Sequence, residues 1–320
     1  MSGMELVIRA DGGRRRGAGH VMRCLAVAEA ARHRGWHITL SADLSELAWV
    51  QPWVADLQVR LVEPCDDAAE LAALTTAQNA RAVLLDHYEF PPAMAEVEAA
   101  GAVLVSLEDD AFGRQPAHVA VDYRLGAETA ARPDDGSQTL LRGSSYVPIR
   151  RQVSMAAVAR AAEGSLGSPL RVAVVAGGTD SSGLAAPLAS AAARAGAEVL
   201  RWQRGAAMVE ALATADAVIS TAGVSSYELC CLGLPIALVE AVDNQRDNYR
   251  ALTSADAATG LGTTTDVAHD PAAVTARLLA WFEDTDHMLR QAAIARELVD
   301  GFGADRIVEA IASRLEVSRG

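Results

Sequence analysis

The chain has 320 residues, 51% hydrophobic and 22% charged, with a formal net charge of −13. That length suits two domains of ordinary size, and the acidic balance argues against a nucleic-acid surface, which needs clustered positive charge. All 28 cationic residues are arginine, which excludes a Schiff-base lysine, a pyridoxal-phosphate anchor and a P-loop lysine.

In chain order, ELVIRA (5–10) predicts a strand and HVMRCLAVAEAARHRG (20–35) a helix. Val21, Met22, Leu25 and Ala28 share one face of that helix, and Gly35 suits its C-terminal cap. HITLSAD, VRLVE (59–63), AVLLDH (82–87) and AVLVSLED (102–109) continue as strands, separated by alanine-rich helical patterns such as PPAMAEVEAA. Strands apolar on both faces and alternating with helices imply a parallel sheet covered on both sides. Residues 126–150 lose the periodicity, and AAEGSLGSPL (161–170) reads as a linker.

The pattern then restarts with RVAVVAGGTD (171–180), a helix to about Gly196, EVLRW, DAVISTAG (216–223), VSSYELCCLG (224–233) and PIALVEA (235–241). The last 50 residues read as helical, including ADRIVEAIASRLE. The expected fold is α/β: two Rossmann-like doubly wound domains, 1–160 and 168–320, facing a cleft at their strand ends.

No apolar stretch approaches the ~20 residues of a membrane span. The start, MSGMELVIRADGG, lacks the basic-then-apolar order of a signal peptide. Cys24, Cys65, Cys230 and Cys231 show no C-x-x-C spacing and suit small buried hydrophobes of a reducing compartment. A cytoplasmic protein is expected, with no nucleic-acid or membrane partner, as a monomer or weak homodimer.

Three strand-to-helix junctions concentrate the chemistry-bearing residues. The first, DGGRRRGAGH, would aim free N–H groups of a first helical turn at a ligand, and Gly12, Gly13, Gly17 and Gly19 allow close backbone approach. It lacks the third glycine of G-x-G-x-x-G, so a dinucleotide site is disfavoured and a flexible turn is the plain alternative. His20 at the helix start is a candidate general base, since the helix dipole disfavours imidazolium there, or else a capping or interior histidine. Arg14, Arg15 and Arg16 form either a solvated basic turn or a grip on a diphosphate or sugar carboxylate.

The second junction is AGGTD, residues Gly177, Gly178, Thr179 and Asp180. The third is ISTAGVSSYE: Ser220, Thr221, Ala222, Gly223, Ser225 and Ser226 place small hydrogen-bonding groups at a helix N-terminus, which suits phosphate. Glu228 there either accepts from ribose hydroxyls or partners the helix dipole. Asn244 and Gln245 suit a sugar's hydroxyl or acetamido groups, or plain N-capping. Asp86, His87 and Tyr88, and Glu108 to Asp110, end strands and would face the same cleft. An acid beside a histidine could ligate a metal, but no C-x-x-C or H-x-x-x-H spacing supports that, and no metal is expected.

The order RADGG…GAGHVMRCLAVAEAARHRGW, LLDHYEF, LEDDAFGRQPAHVAVDY, LRGSSYVPIR, VAGGTD and STAGVSSYELCCLGLPIALVEAVDNQ resembles the UDP-sugar hydrolase family of pseudaminic acid biosynthesis, the spore-coat polysaccharide family. The likeness runs from about residue 5 to 255. That family removes UDP from UDP-2,4-diacetamido-2,4,6-trideoxy-β-L-altropyranose. The C-terminal half is also similar to GT-B glycosyltransferases, including the one that adds N-acetylglucosamine to the lipid-linked peptidoglycan precursor.

The resemblance implies a nucleotide-sugar substrate, no cofactor, and metal-independent, inverting attack of water at the anomeric carbon. It makes His20 the base, and Asp11 joins it as a catalytic residue of the sugar pocket, walled by Asp86 and Tyr88. The 177–180 loop and the 223–228 segment hold the nucleotide, with Asn244 and Gln245 near the sugar or diphosphate. Two positions depart from the family pattern: Arg16, where an aliphatic residue is usual, and Asp122 in VAVDYR, where many members have Asn. Both bear on the sugar, so an acidic or more polar sugar is an expectation for Arg14 to Arg16. Two rivals remain: a GT-B-type glycosyltransferase using the same donor, and a non-catalytic sugar-nucleotide-binding protein.

Overall fold

The structure is a computed structural model and describes residues 3–13, 17–160, 166–177, 180, 182–200 and 206–317. Its first half runs β1 (Glu5–Ala10), α1 (Gly19–His33), β2 (His37–Ser41), α2 (Gln51–Asp56), β3 (Arg60–Val62), α3 (Ala68–Ala77), β4 (Ala82–Asp86), α4 (Met94–Ala99), β5 (Val103–Glu108), β6 (Val119–Asp122), β7 (Thr139–Arg142) and α5 (Arg151–Arg160). The second runs β8 (Arg171–Val175), α6 (Ala185–Arg194), β9 (Glu198–Val199), α7 (Ala206–Thr214), β10 (Ala217–Thr221), α8 (Ser225–Leu232), β11 (Ile236–Glu240), α9 (Arg246–Ser254), β12 (Thr259–Thr263), α10 (Thr264–His269), α11 (Pro271–Glu283), α12 (Thr285–Leu298) and α13 (Gly303–Val317).

The contacts divide the chain into residues 1–151 with 302–320, and residues 152–301. This corrects the expected 1–160 and 168–320 at both ends. The correction at the far end has a physical cause in α13. Its Ile307, Val308, Ile311 and Leu315 form a helical stripe that joins the first core, beside Val21, Cys24, Leu25 and Ala28 of α1. Burying such a side chain is worth roughly 1.5–3 kcal/mol, so this apolar stripe outweighs its place in the sequence. At the near end, α5 belongs with the second unit: Arg160 donates through Nη1 to the carbonyls of Ala213 and Ala215 at 3.1 and 2.8 Å, where α7 ends.

In the first unit seven parallel strands are ordered β3-β2-β1-β4-β5-β6-β7. Alternation along a strand sends side chains to opposite faces. Leu6 and Ile8 therefore pack into the core shared with α1 and α13, and Val7 into the one shared with Leu71 of α3 and Val97 of α4. Both faces are covered, which is why AVLLD of β4 is buried throughout. The order reverses direction between β1 and β4, and ligands of such sheets bind beyond the strand ends at that point. Register sets what meets there: Ala10 pairs with Asp86, so Asp11 and His87 emerge side by side.

The second unit has five parallel strands ordered β12-β11-β10-β8-β9, with its own reversal between β8 and β10. Its core gathers Val172, Val174, Ile219 and Val239 from the sheet and Leu188, Leu278, Trp281 and Met288 from the helices. The predicted strands are present, joined by three further ones, β6, β7 and β12, the last two from unpromising sequence. TLLR forms the edge strand β7 inside the aperiodic 126–150 stretch, and TGLGT forms β12 despite its glycines, because a neighbouring strand pairs with each. No helix of the described residues is long and apolar enough to cross a membrane.

Candidate active site

The chain leaves β1 through Asp11 and Gly12, and glycine is required here for space. A Cβ on Gly12 would lie 2.4 Å from Leu47 Cδ1. Gly17 has a φ of 75°, a left-handed conformation that side chains disfavour. Gly13 and Gly17 exchange backbone hydrogen bonds at 3.0 and 2.7 Å, closing the turn on itself. The N–H groups of these two glycines are thereby consumed rather than offered to a ligand. Arg14, Arg15 and Arg16 lie outside the described residues. Gly19 opens α1, whose N-terminus carries no side-chain cap.

His20 in the first turn of α1 is buried, with 7% of its surface exposed. Its Nδ1 lies 2.6 Å from Oδ1 of Asp86, the last residue of β4. Asp86 is fully buried and also accepts from Arg23, through Nε at 2.5 Å and Nη2 at 2.6 Å. Burial alone would raise the Asp86 carboxyl, but the charge of Arg23 and the hydrogen bonds from Arg23 and His20 prevail and hold it well below the usual carboxylate range. An ionised carboxylate only accepts, so His20 Nδ1 carries the proton that it donates, and Nε2 is the ring nitrogen able to take another.

The surrounding groups fix this arrangement. Arg23 Nη1 donates to the Tyr123 hydroxyl at 2.5 Å. The Tyr88 ring meets His20 edge to face, centroids 4.4 Å apart, and its hydroxyl donates to Asp109 Oδ2 at 2.8 Å. Burial pushes the Tyr88 hydroxyl above its usual range, with Asp109 acting in the same sense against Arg23. Burial likewise raises the Cys24 thiol, whose Sγ lies 3.6 Å from Asp86.

Asp11 belongs to a neighbouring pair. His87 Nδ1 accepts from the Glu89 N–H at 3.1 Å, so its Nε2–H donates to Asp11 Oδ2 at 2.9 Å. Arg9 donates to the other oxygen of Asp11 and to the Cys65 carbonyl. Burial opposes ionisation of Asp11, but His87 and Arg9 overcome it and hold the carboxyl well below its usual range. Asp86 and His87, the candidate metal pair, thus face different partners. Among the described residues no group of three or more His, Cys, Asp or Glu side chains is placed to hold a metal ion.

The second switch point is made of smaller groups. Gly177 has a φ of 78°, and a Cβ there would lie 3.6 Å from Thr221 Oγ1, so the predicted second and third junctions adjoin. Gly178 and Thr179 lie outside the described residues. Asp180 Oδ1 accepts from the N–H groups of Leu184 and Ala185 at 2.9 and 3.3 Å and so serves the start of α6. Ser226 is buried; its hydroxyl donates to the Gly223 carbonyl at 2.7 Å and accepts from Asn248 Nδ2 at 2.8 Å. That amide also donates to the Ala222 carbonyl at 2.8 Å, tying α9 to the turn before α8.

Gln245 Oε1 accepts from the Ala241 N–H at 3.2 Å, and its Nε2 lies 3.3 Å from where a Cβ on Gly223 would stand. Thr221 and Ala222 are buried, Ser225 and Glu228 half-buried in the first turn of α8, and Asn244 exposed.

Sequence reasoning missed Arg23, Tyr123 and Asn248. Arg23 had a usable signal: it stands three residues after His20, hence on the same helical face, as a cation among Val21, Cys24 and Leu25. Tyr123 and Asn248 reach the sites from distant segments and leave no local pattern.

No family model matches the sequence, and a search of curated proteins found no match. Solved structures match nearly the whole chain. MurG of Acinetobacter baumannii aligns with a TM-score of 0.66 at 16% identity, covering 97% of this chain and 99% of that one. The Streptomyces sp. SF2575 glycosyltransferase SsfS6, complexed with thymidine diphosphate, gives 0.62 at 15%, covering 96% and 99%. The UDP-GlcNAc 2-epimerase of Neisseria meningitidis, bound to UDP-GlcNAc, gives 0.58 at 9%, covering 97% and 100%. The chain has the GT-B fold. At these identities the likeness speaks for the fold alone. Within the GT-B fold, the His20–Asp86 pair ends the strands of the first sheet and the Gly177–Thr221 contact those of the second.

Proposed function

We propose that this protein is a nucleotide-sugar hydrolase in which His20 activates water. The observation that carries the reading is the 2.6 Å contact between His20 Nδ1 and the buried, ionised Asp86. It orients the ring and leaves Nε2 to accept the proton of an oxygen nucleophile, a role worth about 10² to 10⁴ in rate. The water oxygen then bonds to the anomeric carbon as the bond from that carbon to the phosphate oxygen breaks. The electron pair leaves with the nucleoside diphosphate, and the configuration inverts. Asp11, held ionised by His87 and Arg9, is a fixed acceptor for sugar hydroxyl or amide groups.

The second unit holds the nucleotide in this reading, through the main chain around Gly177 and the turn at Thr221 to Ser225. Glu228 accepts from the ribose, and Asn244 and Gln245 lie toward the sugar or diphosphate. The sequence resemblance to UDP-sugar hydrolases favours UDP and water. A second reading, transfer to an acceptor hydroxyl with the same base, is favoured by the structural neighbours MurG and SsfS6: SsfS6 is a glycosyltransferase, and the fold is shared over nearly the whole chain.

A panel of UDP- and TDP-sugars without acceptor separates the two. Free sugar and nucleoside diphosphate at catalytic rates support hydrolysis, and slow release accelerated by an added acceptor supports transfer. In heavy-oxygen water the label should enter the sugar; label in the diphosphate overturns attack at the anomeric carbon.

A further inference from the structure

We propose that Arg23 is the positioning residue of this site: it cancels the charge of Asp86 while holding that carboxylate on His20, so that the imidazole stays available as a base. The inference rests on the base assignment to His20. A carboxylate bonded to a histidine does two opposed things. It orients the ring, and it attracts a second proton to it, which would abolish its use as a base. Arg23 resolves the conflict by geometry. Two of its nitrogens clasp both oxygens of Asp86, and one of them, Nη2, lies 3.0 Å from His20 Nδ1.

Because Nδ1 and Nη2 both donate to Asp86 Oδ1, the guanidinium sits beside the imidazole across a shared acceptor. A second proton on the ring would place two cations side by side in a site where Arg23, Asp86 and Tyr123 are each no more than 2% exposed. Arginine suits this task because its fork fits a carboxylate and it stays charged when buried.

The remaining charged and titratable groups do not replace it. On α1, Cys24 is held as a thiol by burial and Asp86. After β4, Tyr88 presents a ring to His20 and its hydroxyl to Asp109. At the end of β6, the Tyr123 hydroxyl accepts from Arg23 and fixes the third nitrogen of the fork. Asp11 is engaged by His87 and Arg9.

The test is a titration of His20 by NMR in the full chain, which needs no knowledge of the substrate. In Arg23→Gln the midpoint should rise by at least about one pH unit above wild type, and the acid limb of kcat/KM should move up with it. An unchanged midpoint in folded Arg23→Gln overturns the proposal; a purely structural role would lower activity at every pH without moving the titration. Should Arg23→Gln fail to fold, Arg23→Lys carries the test. Its ammonium keeps the charge but loses the two-point clasp, so the midpoint should stay within a few tenths of wild type while kcat falls about tenfold at unchanged KM. A midpoint raised by a full unit in folded Arg23→Lys overturns the charge-cancelling role. If wild type releases no nucleoside diphosphate from any nucleotide sugar, the functional reading fails by itself, and the His20 titration still decides what Arg23 does.

Discussion

At the end of β1 and β4 the groups that meet are large and charged: His20, Asp86, Arg23 and Tyr123 lock together by hydrogen bonds of 2.5–2.6 Å. At the end of β8 and β10 they are small: Gly177, Thr221, Gly223 and Ser226, with Asn248 from α9 and Gln245 from the turn just before it. Both places are switch points of parallel sheets, so architecture brings ligands to either. The difference lies in what each can do. Buried ionised side chains set proton affinity, whereas glycines and main-chain amides allow a diphosphate to come close and stabilise its charge. In the proposed reading, one fold used twice separates proton transfer from the holding of a leaving group.

The strongest way to break that division is His20→Ala. Turnover should fall by about 10² to 10⁴, while affinity for the nucleoside diphosphate, read by calorimetry, stays within about twofold because the base does not hold the leaving group. Turnover unchanged in His20→Ala would place the chemistry elsewhere. Asn248→Ala should do the reverse on a smaller scale. Losing the two hydrogen bonds that tie α9 to the Ala222–Ser226 turn costs about 1–1.5 kcal/mol, or roughly tenfold in nucleotide affinity, with kcat at saturation little changed. A variant that lost kcat and kept affinity would erase the proposed distinction.

The smallest effect concerns acid stability and belongs to the charged region alone. Asp11 and Asp86 have folded-state carboxyls held below the unfolded value of about 4, so what they contribute is present above that pH and lost as pH falls toward their native values. In Asp11→Asn, thermal melting should therefore depend less on pH between about 4 and 2 than in wild type. An identical pH dependence would mean that Asp11 is not held ionised by His87 and Arg9.

Much of this division is written locally in the chain. GAGH after ELVIRA predicts a helix start that carries a histidine, and the histidine does stand in the first turn of α1, buried. LLDHY predicts a strand ending in an acid, and Asp86 ends β4. What the first stretch does not reveal is that its glycines bond to one another, or that the carboxylate belonging to His20 is Asp86 and not Asp11 from its own turn. The third junction misleads in a similar way. Ser226 reads as a phosphate ligand, yet its hydroxyl is turned inward to Gly223 and Asn248. Small polar residues satisfy their own turn as readily as a ligand, and composition alone does not distinguish the two.

The closing helix makes the point for domains. ADRIVEAIASRLE has a helical period that any reader finds, but periodicity says only that an apolar face exists. Which surface covers it is settled by where matching apolar area lies in space, and that area is on α1. The sequence by itself therefore determined the elements, their alternation and parallel sheets, the absence of lysine chemistry and the short-range candidates His20 and Asp86, because these follow from periods of a few residues and from residue identity. Tertiary structure alone decided the register that sets Asp11 beside His87, the convergence of His20 and Arg23 on the Asp86 carboxylate with Tyr123 behind Arg23, and the return of α13 to the first unit. Those outcomes depend on contacts between residues tens to hundreds of positions apart, where no local pattern carries the information.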